Sequence, residues 1–452
     1  MPEKKIVIIG AGPTGLGAAY RLQELGHRNW KICEQHDYVG GLAASFRDEK
    51  DFTWDIGGHI LFSHYPYFDA LYEKLLKSAY LSHIRNSWIW IQNRFVRYPF
   101  QNNLHYLPNE TLYECLRDLI NAQTQKAPQS RNFGEWLVAT FGEAIAHYFL
   151  LPYNFKTWAT PPELMAKDWI AERVSVIPLD TVLRNVIFKT DDTTWGPNAT
   201  FKFPRKGGTG DLFVRFVPYI KPHLVLRKKA VRVDIKNKLV HFEDGAVEPY
   251  DYLISTMPVD LLVDMMRPSN ASLRSASRNL VYASGLIAGV GIRQKCPSDK
   301  CWMYFPEDNS PFYRVTYFSN YSPHNVPGKD CFSFMCETSY SKYKPANPAR
   351  IVDETIEGLM NTRLMDDTMK EKIESTYLID VERSYPVPSL KRDAALKKII
   401  PFLEKERIFS RGRFGLWLYE IGNMDHSVMQ GVEVVDRILK RKKEKVVAPF
   451  LR

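Results

Sequence analysis

A glycine-rich turn near the start of the chain constrains the fold more than any other feature. Gly10-Ala11-Gly12-Pro13-Thr14-Gly15 follows the wholly apolar run Ile6–Ile9 and opens a helical segment that Gly26 ends. Such a short apolar run is typical of a buried parallel strand. The first glycine permits a tight turn, the second lets the backbone approach a pyrophosphate, and the third lets helix and strand pack closely. The pattern predicts a dinucleotide site at the helix N-terminus.

An acidic residue at the end of the next strand supports this prediction. Glu34 follows Lys31-Ile32-Cys33, at the distance where a carboxylate can accept a hydrogen bond from a ribose 2′-hydroxyl. NAD sites of this kind usually occupy one contiguous domain. Here a second glycine pair, Gly40-Gly41, follows soon after, and an apolar strand at Tyr252–Thr256 and a terminal helix return much later. This layout favours FAD, with its isoalloxazine against a second domain.

Composition limits the classes of function. The 452 residues are 45% hydrophobic and 25% charged, as in ordinary folded domains, and no run of about 18 apolar residues predicts a membrane span. The net charge of +10 suits an anionic ligand, but no clustered basic face indicates nucleic acid. The six cysteines form no C-x-x-C pair, we predict no metal site, and no signal peptide is recognisable. We therefore expect a cytoplasmic protein with free thiols and without a membrane partner.

The chain as a whole predicts an α/β fold of three units. Residues 1–104, 191–275 and 405–452 are expected to form a discontinuous Rossmann-like FAD-binding domain, which includes the strand pair Ser87–Ile91 and Arg94–Tyr98 and one strand over Leu224–Asp234. Residues 105–190 are mostly of helical character and predict a helical substrate lobe. Residues 276–404 predict an antiparallel-sheet domain with helices. Its expected strands are Ser284–Arg293, Cys301–Phe305, Tyr313–Ser319 and Phe332–Thr338. A further glycine-rich stretch, residues 206–210, opens another helix.

Motifs spread along the chain carry a more specific signal. They are Val39–Ala43, Asp55–His64, Tyr98–Asn103, Pro152–Ala159, Trp195–Phe201, Cys301–Asn309, Ser410–Gly415 and Tyr419–Ser427. In this order they resemble the UDP-galactopyranose mutase family, most closely its eukaryotic branch. The resemblance covers essentially the whole chain, and so many ordered matches are far more specific than a lone glycine turn.

The resemblance implies an isomerase that interconverts UDP-galactopyranose and UDP-galactofuranose with no net redox change. It implies that FAD must be reduced, that N5 of the reduced flavin attacks the anomeric carbon, and that a flavin-iminium intermediate lets the sugar ring reclose. NADPH or NADH is the implied reductant. Because the chain has no second Gly-x-Gly-x-x-Gly pattern, we expect the nicotinamide cofactor to enter the substrate cleft.

The family's functional residues can be carried over to matching positions. The implied catalytic residues are His59, Arg173, Asn198 and Arg314. The implied substrate-binding residues are Tyr98, Phe100, Gln101, Asn154, Trp158, Arg173, Asn198, Tyr304, Arg314, Tyr385 and Tyr419. The expected cofactor-binding residues are Gly10, Gly12, Thr14, Gly15, Glu34, Gly41, Leu42, Gly57, Gly58, His59, Val231, Arg413, Gly422, Asn423, Asp425, His426 and Ser427. Arginine is suited to a diphosphate because its guanidinium stays charged and offers a planar fork of donors.

Other functions share parts of this pattern. An oxidoreductase of the amine-oxidase or protoporphyrinogen-oxidase type would use the same flavin framework but would not need Arg173, Arg314 or the Phe100-Gln101 pocket. A mutase for another nucleotide sugar and a flavin-containing binding or scaffold protein are further alternatives. The sequence leaves the oligomeric state open.

Overall fold

The computed structural model describes residues 3–124, 129–170 and 173–450. Its strands are β1 Ile6–Ile9, β2 Trp30–Cys33, β3 Ser45–Arg47, β4 Thr53–Asp55, β5 Tyr80–Ile84, β6 Ser87–Ile91, β7 Arg94–Arg97, β8 Thr200–Pro204, β9 Leu224–Val225, β10 Ala230–Asp234, β11 Leu239–Phe242, β12 Val247–Pro249, β13 Tyr252–Ser255, β14 Met266–Arg267, β15 Val281–Ile292, β16 Trp302–Tyr304, β17 Arg314–Tyr317, β18 Phe332–Tyr340, β19 Ile373–Val387 and β20 Ile408–Ser410. Its α-helices are α1 Pro13–Glu24, α2 Pro66–Leu76, α3 Asn109–Thr124, α4 Phe133–Phe141, α5 Glu143–Ile145, α6 Leu151–Trp158, α7 Leu179–Phe188, α8 Gly210–Val214, α9 Val217–Ile220, α10 Val259–Met265, α11 Ala271–Ser277, α12 Ile351–Asn361, α13 Asp367–Lys370, α14 Arg392–Lys405 and α15 Met424–Lys440.

The apolar run at the start of the chain forms the centre of a five-stranded parallel sheet. Its strand order is β20-β13-β1-β2-β9, and every neighbouring pair is parallel. The residues of β1 are buried along their whole length, as expected for a strand covered on both faces. Helix α15 packs along α1 beside this sheet, so the two ends of the described chain meet there.

A seven-stranded sheet forms the second large layer, with the order β19-β15-β18-β17-β16-β6-β7. All its pairs are antiparallel except β16 with β6. The β3–β4 ribbon lies on this sheet, because the rings of Phe52 and Trp54 occupy the space above Gly291 and Gly289. A Cβ built on either glycine would come within 2.7 Å of the ring. The ribbon therefore ties the parallel-sheet unit to the large sheet.

Helices α3 to α7 form a lobe over one end of the large sheet. Their apolar side chains share one core with residues of β6, β15 and β16, including Leu119, Phe133, Trp158 and Ile287. These helices lie within residues 105–190, where the sequence predicted a helical lobe, and the bounds of that lobe stay a prediction. In the described residues, no helix is both long and apolar enough to cross a membrane. All six cysteines are free thiols.

One expected strand was wrong and another strand was not predicted. The segment Leu224–Asp234 is split into β9, at the edge of the parallel sheet, and β10, in a four-stranded sheet ordered β12-β11-β10-β14. The split occurs at Arg227, whose φ of 53° is left-handed and incompatible with a continuous strand. Strand β19 was missed altogether. Its charged and polar residues alternate with apolar ones in a pattern that resembles a surface segment.

Two elements lie outside the units to which the sequence assigned them. Strands β6 and β7 were expected in the FAD-binding domain, within residues 1–104, but they extend the seven-stranded sheet. Helix α14 was expected in the sheet domain, within residues 276–404, but it packs on β20 and α11 and belongs to the core of the parallel-sheet unit. In both cases contacts with residues distant in sequence determine where the element lies, and the local sequence does not indicate those contacts. The remaining domain boundaries stay a prediction.

Candidate active site

A cavity of about 920 Å³ lies between the parallel-sheet unit, the seven-stranded sheet and the helical lobe. This is near the upper end of the range for small-molecule sites. Of the predicted site residues, those that line it are Gly10, Gly12, Thr14, Glu34, Gly41, Leu42, Gly57, Gly58, His59, Tyr98, Asn154, Trp158, Arg173, Asn198, Tyr304, Arg314, Tyr385, Arg413, Tyr419, Gly422, Asn423 and Ser427. Residues spread over more than 400 positions thus meet at one site.

The glycine turn forms one end of the cavity. Gly10 has a φ of 95°, and a Cβ there would lie 2.2 Å from Oγ1 of Thr256. Gly15 does not line the cavity. It has a packing role instead, because a Cβ on it would lie 1.9 Å from the carbonyl oxygen of Gly10. The turn therefore presents backbone to the cavity at the N-terminus of the twelve-residue helix α1, an arrangement suited to a pyrophosphate.

Glu34 lies beside the turn and is 6% exposed. Its two carboxylate oxygens accept hydrogen bonds from the amides of Ala11, at 2.7 Å, and His36, at 2.9 Å. These bonds fix the carboxylate in the cavity wall, where its remaining lone pairs can accept from a ribose. Val231, the other residue expected on the adenosine side, does not line the cavity. Its neighbour Ala230 does so.

The segment Ile56–Ile60 crosses the middle of the cavity. Every residue of it lines the cavity, and Nδ1 of His59 is buried with no hydrogen-bond partner in the described chain. Burial lowers the pKa of His59 to about 4, with the Arg314 and Arg413 guanidiniums acting in the same direction and Glu337 opposing them. His59 is therefore neutral at physiological pH and offers a polar ring to whatever occupies the cavity.

Arg314 and Glu337 form a buried pair beside this segment. The Nε and Nη2 atoms of Arg314 donate to the two carboxylate oxygens of Glu337, at 2.6 and 2.7 Å. Glu337 also accepts from the Gly58 amide and the Tyr313 hydroxyl. Burial opposes ionisation of Glu337, but the facing Arg314 charge holds its pKa below the usual value. The Nη1 atom of Arg314 has no acceptor among the described residues and remains available to a ligand.

Arg173 and Arg413 approach the cavity from other elements. Arg173 donates to Oδ1 of Asn423, at 3.2 Å, and to the carbonyl of Glu420, at 2.7 Å. Among the described residues, Arg413 donates only to the carbonyls of Ser384 and Gly422. Neither arginine has a carboxylate partner in the part of the chain that the structure describes, so the cavity carries uncompensated positive charge.

The N-terminus of α15 points into the same region. Gly422, Asn423 and Ser427 line the cavity, and the seventeen-residue helix begins at Met424. Asp425 and His426 were also expected to bind the cofactor here, but they do not line the cavity. The Asp425 carboxylate instead lies between the rings of His64, at 2.7 Å, and His426, at 3.0 Å. Their side chains therefore fix the first turn of the helix.

Aromatic side chains form the opposite wall. Tyr98 and Tyr153 each contact the ring of Tyr304, with centroids 5.2 Å apart. Trp158 packs against Tyr385 and Tyr419. Burial raises the pKa of Tyr385 to about 12, so its phenol keeps its proton and can donate to an anionic oxygen.

Three residues expected around the uracil ring differ in their exposure to the cavity. Phe100 is fully buried, and Gln101 donates to the carbonyl of Ser175 at 2.6 Å. Neither lines the cavity, so the expected direct contact is not seen for these two. Asn154 does line it, although its amide nitrogen donates to the carbonyl of Leu150.

Sequence reasoning missed two residues that organise the site. Glu337 is the only acid in the apolar strand β18, and its partners Gly58 and Arg314 are not adjacent to it in sequence. Arg85, 5% exposed, donates to Oδ1 of Asn198 and to the carbonyls of Thr193 and Trp195. An acid within an apolar strand is a usable signal for a buried pair. No local pattern marks Arg85.

Comparisons with known proteins agree with this geometry. The model of the flavin-containing amine oxidoreductase family matches residues 13–384. A crystal structure of reduced UDP-galactopyranose mutase superposes with a TM-score of 0.96 at 43% sequence identity, covering 98% of this chain and 97% of that chain. A putative protoporphyrinogen oxidase from Exiguobacterium sp. 255-15 superposes with a TM-score of 0.71 at 16% identity, covering 98% and 100%. At that identity the second likeness concerns the fold alone.

Short segments also match curated enzymes. The 15-cis-phytoene desaturase of Glycine max is 39% identical over 70 residues, which is 16% of this chain and 12% of the desaturase. The L-amino-acid oxidase of Bungarus fasciatus is 48% identical over 48 residues, or 11% of this chain and 9% of the oxidase. The chain thus spans only a small part of the length of these relatives.

Proposed function

The chain belongs to the UDP-galactopyranose mutase family, within the flavin-containing amine oxidoreductases, and on that premise we propose that it interconverts UDP-galactopyranose and UDP-galactofuranose with reduced FAD and no net redox change. It is an enzyme of the isomerase class. The arrangement of the cavity supports the roles proposed for individual residues in this reaction.

The uncompensated positive charge of the cavity is the observation that carries the proposal. Arg173 and Arg413 line the cavity without a carboxylate partner in the described chain, and Arg314 keeps Nη1 free. A buried cation is costly unless an anion compensates it. A nucleotide-sugar diphosphate and an electron-rich reduced flavin are two such anions.

The residues present fit FAD. The glycine turn and the N-terminus of α1 suit its pyrophosphate, Glu34 suits the adenosine ribose, and the N-terminus of α15 suits the ring edge that gains charge on reduction. His59, Arg413 and Asn423 would hold the ring system. When bound and reduced, the flavin supplies the nucleophile for the anomeric carbon.

The chain's own residues then bind and orient the sugar nucleotide. Arg173 and Nη1 of Arg314 would bind the diphosphate and stabilise the charge that it gains on leaving. The phenols of Tyr304, Tyr385 and Tyr419 would donate to its oxygens. Trp158 and Tyr98 would wall the uridine end, and Asn198, held by Arg85, would face the galactose. The aromatic wall excludes water from the reacting carbon, which protects the activated sugar from hydrolysis.

The experiment that tests the function is direct. Dithionite-reduced protein is incubated with UDP-galactofuranose, and the nucleotide sugars are separated by chromatography. We expect UDP-galactopyranose to form without consumption of an oxidant in stoichiometric amount. Conversion that requires an oxidant would favour the oxidoreductase alternative. No conversion of this sugar but conversion of its N-acetylated analogue would favour a different mutase.

We also propose NADPH or NADH as the reductant of a cytoplasmic enzyme. The nicotinamide cofactor would enter the substrate cleft, because its phosphates can use the same cations as the substrate diphosphate. UDP should therefore compete with NADPH in the reduction of the flavin, as followed by bleaching of its absorbance under anaerobic conditions. Reduction that is insensitive to saturating UDP would contradict a shared cleft.

A further inference from the structure

The glycine-rich turn at residues 206–210 has the appearance of a phosphate loop but holds a carboxylate of the chain itself. Asp55, at the end of β4, accepts hydrogen bonds from the Thr209 amide at 3.2 Å to both of its oxygens. The Ser45 hydroxyl donates to it and accepts from the Gly210 amide at 2.7 Å. A Cβ on Gly208 would lie 2.3 Å from Oδ1 of Asp55. The glycines of this turn therefore make room for Asp55.

Asp55 is completely buried and has no cationic partner among the described residues. Strand β3 presents only the Ser45 hydroxyl to it, and the turn presents the Thr209 amide. The charged residues that flank the turn face elsewhere, since Lys206 is exposed and Asp211 pairs with Arg215 at 2.8 Å. A buried carboxyl held by neutral donors alone is costly, and such groups cluster at functional sites.

The position of Asp55 in the chain shows what it holds. The next five residues, Ile56–Ile60, are the segment that crosses the cavity and carries His59. The far end of that segment is fixed by Leu61, whose amide and carbonyl pair with the backbone of Lys202 at 2.9 and 2.8 Å. The segment is thus held at both ends, and the Glu337 carboxylate also accepts from the Gly58 amide within it. Glu337 is paired with Arg314, so among these groups Asp55 is the ionisable one without a cationic partner in the described chain.

We propose that Asp55 is a positioning residue for the reaction: its ionised carboxylate clamps the turn at Thr209 and thereby fixes the segment Ile56–Ile60, with His59, against the flavin. This proposal rests on the proposed function for its catalytic consequence, but not for its effect on the flavin. The ionised form accepts from two donors, the Ser45 hydroxyl and the Thr209 amide, whose N–H is shared between both carboxylate oxygens. The protonated form must use one oxygen as a donor and so loosens its hold.

This clamp operates near neutrality. Burial raises the pKa of Asp55 to about 7, against the stabilising bonds from Ser45 and Thr209. Lowering the pH through this range should therefore loosen the segment and slow the reaction. Asp55→Asn keeps the shape of the side chain and resembles the protonated form at every pH.

The test measures the rate and the flavin potential across pH 5.5–8.5 in the FAD-loaded protein. For Asp55→Asn we expect kcat at pH 8 to fall about tenfold or more, KM to change less, and the wild-type ionisation near pH 7 to vanish from both the kcat profile and the midpoint potential. The matched control is Asp48→Asn. Asp48 lies in the turn of the same β3–β4 ribbon and accepts hydrogen bonds from the side chains of Trp54 and Ser375, with none from residues 56–60 in the described chain. The Asp48→Asn variant should keep the pH profile of kcat and the flavin midpoint potential of the wild type.

Unchanged profile and potential in Asp55→Asn would overturn the proposal, as would equal changes in the Asp48→Asn control. If Asp55→Asn does not fold, the Ser45→Ala variant tests the proposal instead. It removes a donor that stabilises the carboxylate, so the apparent ionisation should move to higher pH, and an unmoved ionisation overturns the proposal. The midpoint potential requires no sugar nucleotide, so absence of mutase activity would contradict the proposed function without removing this test.

Discussion

At the scale of single residues, three of the arginines that line the cavity, Arg173, Arg314 and Arg413, differ in their partners. Arg314 is already neutralised by Glu337 in a bidentate pair, whereas the hydrogen bonds of Arg173 and Arg413 within the described chain go to amide and carbonyl oxygens. A ligand diphosphate therefore gains most from the unpaired guanidiniums. The residue that pairs with Arg314 also binds Gly58, so a change at Arg314 reaches the flavin segment as well.

We expect Arg173→Ala to lower kcat/KM roughly 10²-fold or more, as for loss of a charge-assisted contact that strengthens as the diphosphate leaves. Arg173→Lys should retain more of the wild-type kcat/KM than Arg173→Ala but not all of it, because an ammonium lacks the planar fork of donors. Steady-state kinetics of the reduced enzyme give both values. Arg184→Ala, an exposed arginine on α7, is the control. Near-normal turnover and UDP affinity in Arg173→Ala would show that the diphosphate is bound elsewhere.

Arg314→Ala should have a wider effect than Arg173→Ala. It leaves the Glu337 carboxylate buried without its partner, which costs about 3–5 kcal/mol of stability. We therefore expect a lower melting temperature and a reduced FAD content in addition to lost activity. Thermal unfolding and the flavin released per chain measure these quantities. A variant with the melting temperature and the FAD content of the wild type would show that the Arg314–Glu337 pair does not support the segment Ile56–Ile60.

His59 should make stability depend on pH. Burial lowers its folded-state pKa to about 4, below the ordinary value of 6.5 for a free histidine, so the unfolded chain binds more protons between these values. The free energy of unfolding therefore falls as the pH is lowered through this window, by roughly 2 kcal/mol at pH 5. Urea unfolding at pH 7 and pH 5 should show a larger loss for the wild type than for His59→Gln. Equal losses would mean that His59 is protonated as readily in the folded state.

At the scale of elements, two helices from opposite ends of the chain are in unusually close contact. A Cβ on Gly431 of α15 would lie 2.0 Å from the carbonyl oxygen of Thr14, and one on Gly17 of α1 would lie 2.5 Å from that of Val428. Because α1 opens at the glycine turn and α15 opens in the cavity, their spacing sets the distance between the two ends of the cofactor site.

Gly431→Ala should force these helices apart. We expect a loss of about 1–3 kcal/mol in stability, as for overpacking of a core, together with weaker FAD binding. Thermal unfolding and FAD titration of the apoprotein measure the two effects. Lys440→Ala, on the accessible last turn of the same helix, should change neither. If the alanine at position 431 is tolerated, the close contact does not determine the spacing.

The sequence predicted those elements whose pattern is local. The strands β1 and β13, the glycine turn before α1 and the helices between residues 105 and 190 were predicted because periodicity and turn residues mark them. Strand β19 was missed because its polar residues face solvent on one side of the sheet, and β6–β7 were misplaced because their partner β16 lies about 200 residues away. In the site, motif positions predicted most of the lining. Gln101, Asp425 and His426 are directed elsewhere by hydrogen bonds to distant groups, which no local pattern encodes.

At the scale of the whole molecule, one ion pair joins the two main units beside the cavity. Arg383 on β19 donates to Asp260 on α10 at 3.1 Å, and both side chains are largely buried. Cavity-lining residues flank both partners, namely Pro258 and Leu261 on one side and Glu382 and Ser384 on the other. The pair therefore spans the cleft in which the cofactor would lie.

Breaking this bridge should speed the release of FAD. We expect Arg383→Ala and Asp260→Asn each to raise the dissociation rate about fivefold, the equivalent of about 1 kcal/mol, and the double variant to add little to either. Dilution of the holoprotein with fluorescence detection of free flavin gives the rates. The control is Asp264→Asn, on the same helix, whose partner Arg274 does not cross the cleft. Additive effects would mean that the two side chains act separately.

The contact between α1 and α15 also has a consequence for folding during synthesis on the ribosome. Helix α1 ends at Glu24, and the helix that must cover it begins only at Met424. At about 5–20 residues per second of translation, the glycine turn leaves the ribosome on the order of 20–80 s before its covering helix is made. During that interval α1 can pack on β1, β2 and α9, but the surface that α15 will cover has no neighbour from that helix. The nascent chain should therefore depend on chaperones until its last helix emerges, and flavin can be captured only after synthesis is nearly complete.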